Sequence, residues 1–177
     1  MNSTVLAPQQ ATIPTGTWQA DPVHSSVGFE VRYLGVATFT GEVKQFAASL
    51  ADGELAGSAE VASIAVKDEN LYAHLQAPEF FDAARHPELR FSGTATGEGR
   101  FEGEITIKGV TRPITLEGTI TGPVTDPYGN ERVGLALEGV VDRTAFGLDW
   151  NAPLPGGGFA LANDVTLKAE LSLVKAA

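Results

Sequence analysis

The chain has 177 residues, no cysteine, and 22 acidic against 12 basic residues, a net charge of −10. Without cysteine there is no disulfide framework, no thiolate chemistry and no Cys-ligated zinc, and without a basic run there is no positive face for the phosphate backbone of nucleic acid. About 43% of the chain is hydrophobic, with 20 Gly and 10 Pro, which suits a single domain that buries one core and turns many corners.

The opening stretch, MNSTVLAPQQATIPTG, is polar, uncharged and aperiodic. With no periodicity and with Pro8, Pro14 and Gly16 as breakers, it predicts a disordered tail over residues 1–15, and it shows neither the positive start nor the continuous apolar core of a secretory leader. No window approaches the roughly 20 apolar residues of a membrane span, and the negative charge disfavours anionic membrane surfaces. The expectation is a cytoplasmic chain without stable membrane insertion.

From Thr17 onward most of the sequence alternates apolar and polar residues with period two, the pattern of half-buried strands. Thr17 to Ala20 is a short first strand whose Trp18 suits the end of a barrel. Val27, Phe29, Val31 and Tyr33 then share one face, followed after a Leu34-Gly35 turn by Ala37, Phe39, Gly41 and Val43. Leu55, Gly57, Ala59 and Val61 form the next row. Ile64 and Val66 fall on the other parity, so a β-bulge near Ala62-Ser63 is expected.

Later rows are Leu89, Phe91 and Gly93; Phe101, Gly103, Ile105 and Ile107; Ile114, Leu116, Gly118 and Ile120; Val133, Leu135, Leu137, Gly139 and Val141; and Val165, Leu167, Ala169, Leu171 and Leu173. Turns are expected at Gly97-Glu98-Gly99, Gly109-Val110-Thr111 and Asp126 to Asn130, and a long loop at Asn151 to Asn163. About eight or nine antiparallel strands with short connections close most readily as an up-and-down β-barrel, with a sandwich as the alternative. The all-β rows mix many Gly and Ala with Phe, Ile and Leu. Protein interiors tolerate few voids, so such a wall either collapses or encloses an apolar guest.

One segment breaks the pattern: residues 69–91, ENLYAHLQAPEFFDAARHPELRF. Leu71, Tyr72 and Leu75 lie three or four apart, which predicts two turns of helix over Asn70 to Gln76. Pro78 ends it, and the adjacent Phe80 and Phe81 must be buried or leave a sticky patch. One or two short helices within 69–87 are expected to plug or lid the barrel.

This segment, as HLQAPEFFDAARHPELRF (74–91), resembles the signature of the YceI-like proteins. Trp18 with DPVHSSVGFEV (21–31), GEVKQF (41–46), ITIKGVTRPITL (105–116), DPYGN (126–130) and DRTAFGLDW (142–150) follow in the family's order. The resemblance covers about Gly16 to Val174 and implies a YceI-like domain over residues 16–175. It implies a lipocalin-like barrel that binds a polyisoprenoid or another long apolar lipid, such as an isoprenoid quinone, for storage or transport. It also implies a homodimer. Leu71 and Tyr72 stand where the family usually has Arg-Asp, and Val43 where it usually has Phe, all positions that bear on what the cavity accepts.

The expected lipid-lining residues are Val27, Phe29, Phe39, Phe80, Phe81, Phe91, Ile107, Leu116, Leu137 and Phe146, with Phe80, Phe81 and the 151–163 loop as the gate. His24 is expected to bond backbone at the barrel mouth or to touch a polar head group. Arg143 either orients an anionic or quinone head group or pairs outward with Asp21 or Asp142. Asp142 and Asp149 beside it suggest a salt-bridged rim. His24, His74 and His86 with Asp21 lack metal-ligand spacing, and there is no nucleophile elbow. The chain therefore reads as a non-enzymatic binding protein without metal or cofactor. An isomerase or hydrolase using His24 or Asp142 as base, or a packed interaction module, are the alternatives.

Overall fold

The computed structural model describes residues 12–176. These described residues form eleven strands and one α-helix. The first five strands are β1 (Thr17–Ala20), β2 (Ser26–Tyr33), β3 (Ala37–Val43), β4 (Phe46–Ala51) and β5 (Glu54–Glu60). A 3-10 turn over Val61–Ser63 leads into β6 (Ile64–Ala65) and the helix α1 (Glu69–Gln76). The remaining strands are β7 (Glu88–Gly97), β8 (Arg100–Ile107), β9 (Val110–Thr125), β10 (Glu131–Asp142) and β11 (Leu161–Lys175).

Eight strands close a ring in the order β1-β4-β5-β7-β8-β9-β10-β11, because β1 pairs antiparallel with both β4 and β11. The long β11 explains where the other strands go. Its C-terminal end pairs with β1, Leu173 opposite Ala20, while its N-terminal half pairs with β2, Leu167 opposite Phe29. Thus β1 and β2 line two successive stretches of one wall, and β3 and β6 extend it. The expected antiparallel barrel is the fold, and the sandwich is not.

Two apolar clusters pack within this tube. Trp18, Leu50, Leu55, Phe101, Ile120, Leu135 and Leu173 pack one end with almost no solvent access. Trp18 is anchored there by its indole N–H, which donates to Thr15 O at 3.0 Å. The second cluster joins Val43, Val61, Ile105, Ile114 and Phe146 of the wall to Leu75 and Phe80 of the interrupting segment. That segment is therefore part of the core at the opposite end. Of the expected tail, residues 1–11 lie outside the described residues, and Ile13 packs against the Trp18 cluster.

Three local expectations are corrected. The parity change after Val61 comes from the 3-10 turn, not from a bulge at Ala62-Ser63: three residues wind once before β6 resumes. The turn between β8 and β9 is Lys108-Gly109, both with positive φ (51° and 75°), the geometry of a tight primed hairpin turn. Phe46–Ala51 forms a strand that the period-two reading did not include. Among the described residues, no helix is long and apolar enough to cross a membrane.

Candidate functional site

Between the two clusters lies a cavity of about 670 Å³, within the usual range for small-molecule pockets of roughly 300–1,000 Å³. Its wall is built by the inward rows. β2 and β3 supply Val27, Phe29 and Phe39; β7 and β8 supply Phe91 and Ile107; β9 and β10 supply Leu116 and Leu137. The 3-10 turn after β10 adds Phe146. Small residues keep this wall back from the centre, Ala47, Ala48, Gly57, Ala59 and Ala169 among them. Phe29 and Phe39 meet edge to face with ring centroids 5.9 Å apart.

The interrupting segment covers one end. Asp68 caps α1 by accepting from Leu71 N at 2.9 Å, satisfying an amide that the helix itself leaves unpaired. Leu71, His74 and Leu75 then line the cavity, as residues three and four apart on one helical face should. Tyr72 points elsewhere: its hydroxyl donates to Ala62 O at 2.7 Å, and Gln76 Nε2 donates to Val61 O at 2.9 Å. These two bonds fix the helix to the 3-10 turn beside it. Of the three positions that depart from the family's pattern, Leu71 and Val43 line the cavity and Tyr72 holds the lid in place.

After the helix, Phe80 and Phe81 both line the cavity, Phe80 being the more buried. Phe80 and Trp150 sit 5.5 Å apart, and each stands edge-on to His74 with centroids at 4.6 Å. His74 Nε2 lies 3.0 Å from Glu79 Oε1. Lys108 fastens the outside of this cluster by donating to Pro78 O at 2.6 Å and Gly147 O at 3.2 Å.

The 151–160 loop borders the same end. Asn151 pins its base by accepting from Leu161 N and donating to Leu161 O, at 2.9 and 2.8 Å. Ala152, Ala160 and Leu161 line the cavity, while Phe159 is 64% exposed.

Arg143 lines the cavity too and is buried. It pairs with neither Asp21 nor Asp142, so both outward pairings are corrected. Its Nε donates to Ala162 O at 2.9 Å, and Nη1 donates to Leu148 O at 2.7 Å and Trp150 O at 2.8 Å. Nη2 is buried without a partner. Burial pushes the guanidinium below its ordinary pKa, against the pull of Asp142 and Asp149. Asp142 is exposed and caps the following turn, accepting from Thr144 N and Oγ1 at 2.9 and 2.6 Å. Those bonds, the hydroxyl's first, lower its pKa.

His24 stands apart from the cavity, in the connection between β1 and β2. Its side chain is 67% exposed and its Nδ1 lies 2.7 Å from Asp21 Oδ2. The aspartate three residues back holds the ring, leaving it no reach towards the interior. Asp21 pairs with Arg132, which also holds Asp126. Neither His24 nor Asp142 lines the cavity, so neither can serve as a base inside it.

Beyond the expected lipid-lining residues, His74 and Leu75 of α1 border the cavity, as do Leu71, Val31 and Leu171, which the sequence places near the interior without naming them as lining, and Leu161 at the end of the gate loop. The spacing of Leu71, His74 and Leu75 was the signal for the helix residues, once α1 was allowed to face inward.

The family described as the YceI-like domain matches residues 18–173. A UPF0312 protein of Staphylococcus aureus is 28% identical over 158 residues, covering 84% of this chain and 92% of its own. One from Staphylococcus epidermidis is 29% identical with the same coverage. Three solved structures share the fold. BcnA of Burkholderia cenocepacia has a TM-score of 0.65 at 19% identity, with 89% of this chain and 99% of that one covered. The Campylobacter jejuni YceI protein has a TM-score of 0.67 at 23% identity, covering 82% and 90%. A polyisoprenoid binding domain from Saccharophagus degradans has a TM-score of 0.66 at 9% identity, covering 92% and 100%. With the family matched along nearly the whole barrel and the fold recurring in these structures, the chain belongs to the YceI-like family.

Proposed function

We propose that the chain binds a single long-chain amphiphile, a polyisoprenoid or an isoprenoid quinone, inside the barrel and stores or carries it without chemical change. The observation that carries this reading is the apolar cavity of about 670 Å³ closed at one end by the Trp18 cluster and covered at the other by Phe80, Phe81 and the 151–160 loop. An extended hydrocarbon gains roughly 0.8 kcal/mol for each CH₂ it buries, so a few isoprene units suffice for tight retention. The small residues of the wall leave room for such a chain, and the aromatic lid gives it a gate. The Saccharophagus degradans domain, named for polyisoprenoid binding, has the same fold.

The test is mass spectrometry of lipid extracted from the purified protein. The expected result is one class of long-chain amphiphile at close to one molecule per chain. Protein that is empty as purified, and stays empty after incubation with polyprenyl alcohols and quinones, would rule the reading out.

A further inference from the structure

Among the described residues Arg143 is the one charged side chain that lines the cavity and is buried, and its bonding is incomplete. Three backbone carbonyls take up Nε and Nη1. Nη2 is the only buried side-chain nitrogen or oxygen without a partner among the described residues. Arg143 is 6% exposed, and its guanidinium makes no ion pair with a carboxylate within salt-bridge distance among those residues. Asp142 and Asp149 act on it only at longer range, and Asp142 accepts both Thr144 bonds with Oδ1.

A guanidinium stays charged when buried, and an unsatisfied buried charged donor is costly. Carbonyl partners supply hydrogen bonds but no counter-charge. What this site lacks is an acceptor oxygen carrying negative charge, because charge-assisted bonds are the strong ones. The position is suitable for one. Leu148, Trp150 and Ala162, whose carbonyls hold Arg143, belong to the covered end, while Leu116, Leu137 and Leu171 line the far depth.

We infer that the free edge of Arg143 is the head-group anchor of the cavity, and that the preferred ligand is an apolar chain ending in an acidic oxygen group, a carboxylate or a phosphate. This rests on the proposed uptake of a long chain and adds the chemistry of its head. The chain runs from Arg143 beneath the lid towards Leu137 and Leu171.

The test compares three probes of one chain length on the intact protein: tetradecanoic acid, methyl tetradecanoate and 1-tetradecanol. Affinity is read by displacement of a fluorescent apolar dye and by calorimetry, with monotetradecyl phosphate as a second acidic probe. The acids are expected to bind about tenfold or more tighter than the alcohol, the difference that a hydrogen bond to a charged group supplies. The ester should fall between, since it offers an oxygen without the charge. In Arg143→Lys the ratio of acid to alcohol affinity should shrink, and that ratio is the readout, since Arg143 lines the cavity and its change can shift the binding of every probe.

Because Arg143 also holds three carbonyls, the variant is checked by circular dichroism. If it does not fold, the probe series on the unmodified protein decides alone, together with the carboxylate ¹³C shift of labelled acid on binding. Equal affinity for acid, ester and alcohol overturns the acidic anchor while leaving chain uptake intact. A tight preference for the ester favours a neutral carbonyl head and overturns it as well. Failure of every probe to bind overturns both readings.

Discussion

The tip of the Phe29 ring occupies the place where a side chain on Gly41 would stand. A Cβ on Gly41 would collide with Cζ and Cε1 of that ring. Phe29 and Gly41 are opposite one another on β2 and β3, so the missing side chain on one strand lets the aromatic of the other lie against the wall instead of projecting into the cavity.

Gly41→Val should therefore force Phe29 off its position and inward, against Phe39. Overpacking of this kind costs about 1–3 kcal/mol. The expected outcome is a lower melting temperature together with weaker uptake of a fluorescent long-chain probe. Gly41→Ala should give a smaller effect of the same sign. Unchanged uptake would mean that Phe29 does not bound the volume the chain uses.

Arg132 clasps Asp21 and Asp126 with N–O distances of 2.9 and 2.7 Å. The bond with His24, then that from Arg132, lowers Asp21 from 3.8 to about 2. Arg132, then the Asn130 amide, holds Asp126 well below the usual carboxylate range. Both folded-state pKa values lie below the unfolded ones, so the unfolded chain binds more protons in the acid range. The contribution is present in full above about pH 4 and is lost as pH falls towards about 2 and beyond. Thermal melts across that range should fall steeply. The double variant Asp21→Asn with Asp126→Asn should be less stable at neutral pH and show a flatter acid limb. An unaltered acid limb would count against the clasp.

Much of the barrel was legible because strand side chains alternate strictly between two faces. The rows Val133 to Val141 and Val165 to Leu173 state their inner face in the sequence, and that face lines the core and the cavity. β4 was hidden because FAASLA offers too little contrast between its faces: Ala48 and Ser49 are both partly buried. The 3-10 turn was mistaken for a bulge because both shift the parity of the next strand. The outward alternative for Arg143 names Asp21 or Asp142, whereas its protein partners are main-chain carbonyls, which every residue carries and no sequence pattern marks. His24, expected to bond backbone at the barrel mouth or to touch a polar head group, instead meets Asp21 three residues earlier, a partner the sequence itself supplies.

The lid helix depends on a short cap. Asp68 accepts from Leu71 N at 2.9 Å, and α1 has only eight residues, too few to persist without packing and caps. Asp68→Ala should cost about 1 kcal/mol. Hydrogen exchange should show faster opening of Leu71 and Tyr72 amides, with β9 to β11 unaffected. Uniform acceleration across the barrel would instead make the helix part of one cooperative unit with the wall.

Phe80 joins α1 to the segment after β10, since its ring packs against both His74 and Trp150. It is only 6% exposed. Phe80→Ala removes a large buried ring, with a cost of about 3 kcal/mol for such truncations, and opens a gap continuous with the cavity. A chain loaded beforehand should then leave faster, because the gate has lost its central contact while Leu116 and Leu137 still hold the tail. Stopped-flow transfer of a fluorescent long-chain probe to excess vesicles measures this, with Phe101→Leu at the closed end as a comparison of similar burial but no contact with the lid. Faster release in Phe80→Ala alone places the exit beneath the lid. Equal acceleration in both would assign the effect to lost stability, and no acceleration in either would move the exit elsewhere on the barrel.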